Sequence, residues 1–255
     1  MKRNLISFTS IVRKEMIRIF RIWVQTLVPP VITMTLYFII FGSFIGSKVG
    51  RISGYDYMAF IAPGLIMMSV ITNSYSNTVS SFFSTKFQRN IEELLVSPTP
   101  DWVMVLGYIS GGMTRGLSVG ILVSMVSLFF VKLPLFNVPV IVLFAVLTSF
   151  VFSLAGMING IFARKFDDIS IIPTFVITPL TYLGGVFYSI SLLPEFWQTL
   201  SRVNPVVYMI DGFRYGFLGI SDINVWMGLG MLVMFSMILF SLTLYLLKKG
   251  IGVRT

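Results

Sequence analysis

The amino-acid sequence predicts an all-α polytopic membrane protein with six transmembrane helices, and three observations carry that prediction. Of the 255 residues, 56% are hydrophobic and only 11% are charged, where a soluble domain carries about 25%. The mean hydropathy is +0.89. Six apolar runs, at about 22–46, 57–83, 103–131, 138–163, 169–190 and 223–247, each reach the ~20 residues that cross a ~30 Å hydrocarbon core. The basic residues between these runs are unevenly shared, thirteen on one side against five on the other. That bias places both termini in the cytoplasm. Only Arg115 lies well inside a run.

Residues 1–21 precede the first run. Met1, Lys2 and Arg3 lead into a mixed polar and apolar stretch with no short apolar core, so no cleavable signal peptide is expected. Leu5, Phe8, Val12, Met16 and Ile19 recur at helical spacing, with Lys14, Arg18 and Arg21 on the opposite face. A basic amphipathic helix of this kind lies in the membrane interface. A topogenic basic tail would supply the same charge without the periodicity.

Between the second and third runs stands "KFQRNIEELLVSPTP". On a helix, Phe87, Ile91, Leu94 and Leu95 share one face. Gln88, Arg89, Glu92 and Glu93 share the other, with Arg89 and Glu93 spaced as an i, i+4 pair. Pro98 and Pro100 end the helix by removing donors and restricting their predecessors. The segment is therefore expected to lay an apolar face on the membrane bundle and leave a charged face to water or to a partner.

The second run carries a polar string, Asn73, Ser74, Ser76, Asn77, Thr78, Ser80 and Ser81. In lipid such groups need partners, either as the wall of a translocation route or dimer seam, or as helix–helix glue within the bundle. Arg115 in the third run is flanked by Gly111, Gly112 and Gly116. It reads as a structurally paired or snorkelling cation, or as a contact for an anionic substrate or lipid headgroup. In the fifth run, Pro173, Pro179, Gly184 and Gly185 predict a kink, either a moving gate or a static bend. The stretch 187–222 is too apolar and aromatic for a solvated loop. Two short helices dipping into the outer leaflet fit it, with Pro194 and Pro205 at their starts and Asp211 and Arg214 spaced to pair.

Several functions are disfavoured. Cysteine and histidine are absent, which removes thiolate chemistry and the commonest metal ligand and general base. Asp167 and Asp168 sit beside Arg164 and Lys165 and read as solvated rather than as a cation site. No G-x-x-x-x-G-K-[ST] stretch occurs, so phosphates of ATP have no such cradle here. The net charge of +9 is accounted for by topology rather than by nucleic acid. The chain is expected to be no enzyme and to carry no cofactor of its own.

The order of these elements resembles the permease subunit of ABC-2 type transporters, and among them the inner-membrane permeases of Gram-negative bacteria. The segment "GGVFYSISLLPEFWQTLSRVNPVVYMIDGFRYG" and the "NIEELLVSPTP" helix carry the likeness, which covers essentially the whole chain. The resemblance implies one transmembrane domain over 1–255 with an interfacial helix at 1–21, a coupling helix at 86–97 and a re-entrant hairpin at 187–215. It implies a multi-pass exporter subunit in the bacterial cytoplasmic membrane, paired with a second copy of itself in contact with membrane lipids. Two copies of a cytoplasmic ABC ATPase would bind ATP and Mg. Arg89, Glu92, Glu93, Leu94 and Leu95 would then face the ATPase. Asn73, Ser76, Asn77, Ser80 and Arg115 would line the route or the seam. Gly185, Asn204, Pro205, Tyr208, Asp211 and Arg214 would form an outer gate. A stand-alone channel or ion-coupled secondary transporter is the rival; it calls for buried acidic residues or paired broken helices in two matching halves, and neither is evident in the sequence. A lipid-modifying enzyme would need a nucleophile or an acid–base pair, which is also not evident.

Overall fold

The computed structural model describes residues 2–252, and of Ser43 the backbone only. Its helices run in the order α1 (Lys2–Arg21), α2 (Trp23–Ile39), α3 (Gly46–Val49), α4 (Tyr57–Phe87), α5 (Asn90–Val96), α6 (Asp101–Ser127), α7 (Val138–Phe162), α8 (Asp168–Ile172), α9 (Thr178–Tyr182), α10 (Glu195–Val203), α11 (Pro205–Leu218) and α12 (Val225–Lys249). Wide turns over Ile40–Ile45 and Pro173–Ile177 join α2 to α3 and α8 to α9 without breaking the helical path. Local sequence explains the main boundaries. Asn137 and Asn224 accept hydrogen bonds from the first free N–H groups of α7 and α12, as helix N-caps do. Gly219 and Gly250 end α11 and α12 in the left-handed conformation that glycine adopts without steric cost.

Among the described residues, five helical stretches are long and apolar enough to cross a membrane: Trp23–Val49, Tyr57–Phe87, Asp101–Ser127, Val138–Phe162 and Val225–Lys249. The fifth run of the sequence does not form a sixth helix of that length. It folds as a continuous but shorter helical stretch over 168–182, widened at Pro173–Ile177, and is ended by an irregular turn through Gly184 and Gly185, the latter at φ +75°. Pro173 and Pro179 each lack an N–H, so the regular ladder cannot be kept through them. The path still runs the length of α4. Phe166 packs on Phe83 and Phe87 with ring centroids 5.0 Å apart. At the other end Val186 lies against Gly64, and the Tyr57 hydroxyl donates to the Phe187 carbonyl at 3.2 Å. Gly64 and Phe83 are separated by ~29 Å at 1.5 Å per residue.

An element the sequence reading did not anticipate is a short antiparallel hairpin before α4, Arg51–Ile52 with Tyr55–Asp56. Ser53 and Gly54 turn it, both at positive φ. The Ser–Gly dipeptide is the local signal for such a turn.

Helix α4 is the axis of the bundle. It packs on α6 and α7 along most of its length, and on α1, α5 and α11 at its ends. Glycine makes this possible, because without a Cβ the helices approach closely. Gly112, Gly116 and Gly120 of α6 face Thr78, Ser74 and Val70 of α4, and Gly156 and Gly160 of α7 face Tyr75 and Phe82. A Cβ on Gly156 would stand 2.5 Å from the backbone carbonyl oxygen of Tyr75. Backbone cannot yield as a side-chain tip can, so Gly156→Ala should cost about 1–3 kcal/mol, the usual range for overpacking. Gly230 of α12 has open space around it. Gly230→Ala should be neutral or stabilising by up to ~1 kcal/mol. Thermal unfolding of the two variants in detergent checks both signs.

Candidate functional site

At one end of the bundle the short helix α5 lies across the ends of α4 and α6. Arg89 sets its direction: with φ 61° it ends α4 and starts α5. Ile91 is 3% exposed and joins Ile11, Met104, Tyr108 and Leu247 in an apolar cluster, with Leu94 and Leu95 against its edge. Glu92 and Glu93 point to solvent. This is the expected amphipathic helix, with two corrections. Phe87 belongs to α4 and is largely exposed, stacking on Phe166. Arg89 and Glu93 do not pair, because the left-handed turn at Arg89 takes it out of the helix that carries Glu93; no ion pair of either is present among the described residues. Lys86, expected in the same cytoplasmic segment, is the last turn of α4. Its Nζ donates to the carbonyls of Ile161 at 2.5 Å and Ala163 at 2.8 Å, which gives the C-terminus of α7 the cation that free helix carbonyls favour. Recesses flank α5 on both sides. One of about 700 Å³ is lined by Lys86, Arg89, Glu92 and Arg164, the other of about 390 Å³ by Lys14, Asn90, Glu93 and Tyr108.

The nearby turn from α7 to α8 is held by Asp168, which accepts hydrogen bonds from the backbone N–H groups of Arg164 at 2.8 Å and Lys165 at 3.0 Å. Those bonds hold its carboxyl below the usual carboxylate range. Asp168 thus holds the turn at the solvent-exposed surface, and Asp167 beside it is exposed.

Helix α1 packs on the bundle by a face that includes Ile19 of its apolar stripe and, beside it, Ile11 and Glu15. Leu5 is 64% exposed, and the residues that pack inward are Ile11, Glu15 and Ile19. Ile11 meets Gly107 and Glu15 meets Gly111 of α6. The fully buried Glu15 accepts from Ser81 Oγ at 2.5 Å and pairs with Arg18 at 2.9 Å. Arg18 also donates to Asn77 Oδ1 at 2.9 Å, and Lys14 to Thr85 Oγ1 at 3.2 Å. Two of the three residues of the basic face, Lys14 and Arg18, therefore reach α4. The single acidic residue of α1 among six basic ones was the signal in the sequence that could have revealed this docking.

The polar string of α4 divides in two. Asn73, Ser74, Asn77, Thr78 and Ser81 are buried within this one chain, Asn73 bonding its own helix at Ser69 and Ser74 meeting Ser149 of α7 at 2.8 Å. Ser76 and Ser80 keep partial exposure, in line with Thr72 and Ser84 at four-residue spacing. The structural pairing expected for Arg115 is not there. Among the described residues it makes no hydrogen bond or ion pair, and its Nε is buried without a partner.

At the opposite end, the residues expected in an outer gate come together as a knot. Asn204 starts α11, accepting from the Val206 N–H at 3.0 Å and donating to the Leu180 carbonyl at 2.7 Å. Pro205 follows as the first helical residue, and the Tyr208 hydroxyl donates to the Arg202 carbonyl at 2.8 Å. Arg214, 2% exposed, donates to the carbonyls of Gly185 and Phe60 and stacks 4.0 Å from the centre of the Phe60 ring. It lies 3.8 Å from Asp211. Asp211 in turn accepts from Ser221 Oγ at 2.6 Å and from the N–H groups of Asp222 and Ile223 at 3.0 Å. The pair thus joins α4, the glycine turn, α11 and the loop into α12. Unlike the shallow hairpin the sequence suggested, α11 is buried along most of its length among α4, α7 and α12, while α10 stays exposed. Glu15 and Asp211 are buried acidic residues, which the sequence reading did not foresee. Each has an arginine three residues on, so neither stands as a free carboxylate.

The described residues thus form a bundle of membrane-length helices that presents a short amphipathic helix at one end. The chain belongs to the ABC-2 type transporter family, whose profile matches residues 6–218; this is a transport-permease family and not an enzyme family. It is 60% identical over 250 residues to "Inner membrane transport permease YadH" of Escherichia coli (strain K12), covering 98% of either chain. More distant relatives are "Nodulation protein J" of Rhizobium leguminosarum bv. viciae, 28% identical over 219 residues (84% of this chain, 83% of the relative), and of Rhizobium meliloti (strain 1021), 27% identical over 219 residues (84% and 82%).

Arg214→Met should destabilise the protein by about 3–5 kcal/mol, the cost of leaving a buried charge without its counter-ion. Asp211→Asn combined with Arg214→Met should recover part of that loss, since the pair is coupled. Chemical unfolding in detergent of the two single variants and the double measures the coupling.

Proposed function

We propose that the chain is the permease subunit of an ATP-driven exporter of the bacterial inner membrane. Two copies form the route, and separate cytoplasmic ATPases, which bind ATP and Mg, drive it. The observation that carries this reading is α5: a helix anchored by one buried isoleucine, turning its carboxylates outward between two recesses, and continuous through one backbone turn with the central helix α4. A partner gripping Glu92 and Glu93 would move α4 directly and α7 through Lys86. The inner-membrane location rests on the name of the relative that is 60% identical.

In this reading the path 168–189 is the sixth crossing. It starts beside the cytoplasmic end of α4 and finishes beside its far end, a span of ~29 Å that matches the hydrocarbon core. Six crossings return both termini to the cytoplasm, as the charge bias requires. The stripe Thr72, Ser76, Ser80 and Ser84 is the part of α4 its own chain leaves open, and it would line the route or face the second copy. Asn73 and Asn77 support the bundle from within. The knot around Arg214 would seal the outer end until α4 moves.

Replacing both Glu92 and Glu93 with Lys should weaken capture of the ATPase about tenfold or more, the effect of ~1.4 kcal/mol, with membrane insertion intact. Undiminished co-purification and hydrolysis would remove α5 from the coupling path. Topology is read separately. A cysteine at exposed Thr199 of α10 should react with a membrane-impermeant thiol reagent in intact cells, whereas one at Ser201, 4% exposed, should react poorly. Labelling of Thr199→Cys only in inverted vesicles would reverse the orientation.

A further inference from the structure

The α1–α6 contact brings unsatisfied donors and surplus positive charge to one place. The two helices run parallel, with Ile11 over Gly107 and Glu15 over Gly111, so the next turn sets Arg18 and Ile19 level with Arg115. Arg18 already touches Asn77, to whose Oδ1 it donates, and this contact fixes the amide: flipped, it would set donor against donor. The Nδ2 of Asn77, 1% exposed, then donates to nothing, and the Nε atoms of Arg18 and Arg115 are likewise buried without an acceptor. Buried polar atoms are nearly always partnered, and here all three orphans are donors. The carboxylate beside Lys14 and Arg18, Glu15, is already engaged by Arg18 and Ser81, and Arg115 has no ion pair among the described residues. A water molecule would accept hydrogen bonds there but would neutralise none of the excess charge.

We propose that Arg18, Arg115 and Asn77 form a binding site for a phosphate-bearing anion in the groove between α1, α4 and α6. Phosphate supplies acceptor oxygens and the negative charge together, and a guanidinium meets it with a planar fork of donors. The site is independent of the coupling role of α5 and makes no use of ATP. Arg18 retains 28% side-chain exposure, and its neighbours Ile17 and Phe20 are 49% and 71% exposed. A charged fork set among exposed apolar side chains toward the cytoplasmic end of the bundle can snorkel outward to a headgroup phosphate, since anionic lipids draw basic groups to the cytoplasmic leaflet; a soluble phosphate compound has the same chemistry.

Thermal unfolding of the full chain in detergent tests the proposal and separates the two sources. Phosphatidylglycerol, phosphatidylcholine and inorganic phosphate are added in turn to the parent protein and to Arg115→Gln, Arg115→Lys and Lys249→Gln. Phosphatidylglycerol should raise the unfolding temperature of the parent and of Lys249→Gln by several degrees. The rise should be lost in Arg115→Gln and partly kept in Arg115→Lys, which keeps the charge without the fork. Without additive, Arg115→Gln should melt no lower than the parent, because it removes an unpartnered cation. A rise with phosphatidylglycerol but not with inorganic phosphate identifies a lipid, and an equal rise with inorganic phosphate identifies a soluble anion. An undiminished rise in Arg115→Gln, no rise with either anion, or a marked loss of stability in Arg115→Gln without additive would each overturn the proposal.

Discussion

The whole arrangement depends on how closely α4 is approached by the glycine faces of α6 and α7. Lipid tails are as apolar as the side chains they touch, so burial alone gives helices in a bilayer little reason to associate. Dispersion contact and interhelical hydrogen bonds must hold them, and both need short distances. Gly112, Gly116 and Gly156 supply those distances. The hydroxyls of Ser74 and Ser149 can then meet across the α4–α7 contact. The polar string of α4 is thus for the most part a consequence of close packing: small residues admit the neighbour, and hydroxyls and amides use the space they leave.

That packing explains how charge is carried in so apolar a chain. An unpaired charge at depth is expensive, and two acid–arginine pairs at three-residue spacing deal with it at opposite ends. Glu15 and Arg18 fasten the N-terminal helix to α4 and α6. Asp211 and Arg214 fasten α11 to the start of α4 and to the loop before α12. In both, the ion pair itself is the smaller part of the work. Arg214 spends its donors on two backbone carbonyls, and Asp211 its lone pairs on three other donors. A buried pair satisfied in this way contributes location more than stability.

Much of this was legible in the sequence. The apolar runs, the asymmetry of basic residues, the helix from Asn90 to Val96 and its exposed Glu92 and Glu93 all follow from period and charge. What was not legible has physical reasons. The apolar stripe of α1 suggests contact with lipid and says nothing of Glu15, which turns inward because its partner Ser81 on α4 is supplied only by the tertiary structure. Arg89 and Glu93 have ideal helical spacing, but spacing assumes one continuous helix, and the left-handed residue at Arg89 divides it. Polar residues at Asn73 and Asn77 suggest an aqueous face, yet the glycines opposite α4 are what decide that these positions lie inside. The fifth run is apolar enough to span, but its prolines widen the helix at Pro173–Ile177 and the glycine pair after Leu183 ends it, so the regular helix stops at Tyr182.

These features together bear on how movement at one end would reach the other. α4 is a single helix from Tyr57 to Phe87, and close-packed interfaces switch between discrete arrangements rather than deforming gradually. Phe60, whose carbonyl and ring hold Arg214, and Lys86, whose ammonium holds the end of α7, sit on that same rod. A shift of α5 moves Lys86 first, and along a stiff helix it moves Phe60 as well. The weak element between the two ends is the path 168–189, with wide turns at Pro173–Ile177 and a glycine pair at its exit. Its last residues are tied to α4 by Tyr57 and to α11 by Arg214, so relative motion of those two helices has to be absorbed there. This widened, glycine-ended helix is thus placed where a rigid bundle would need compliance.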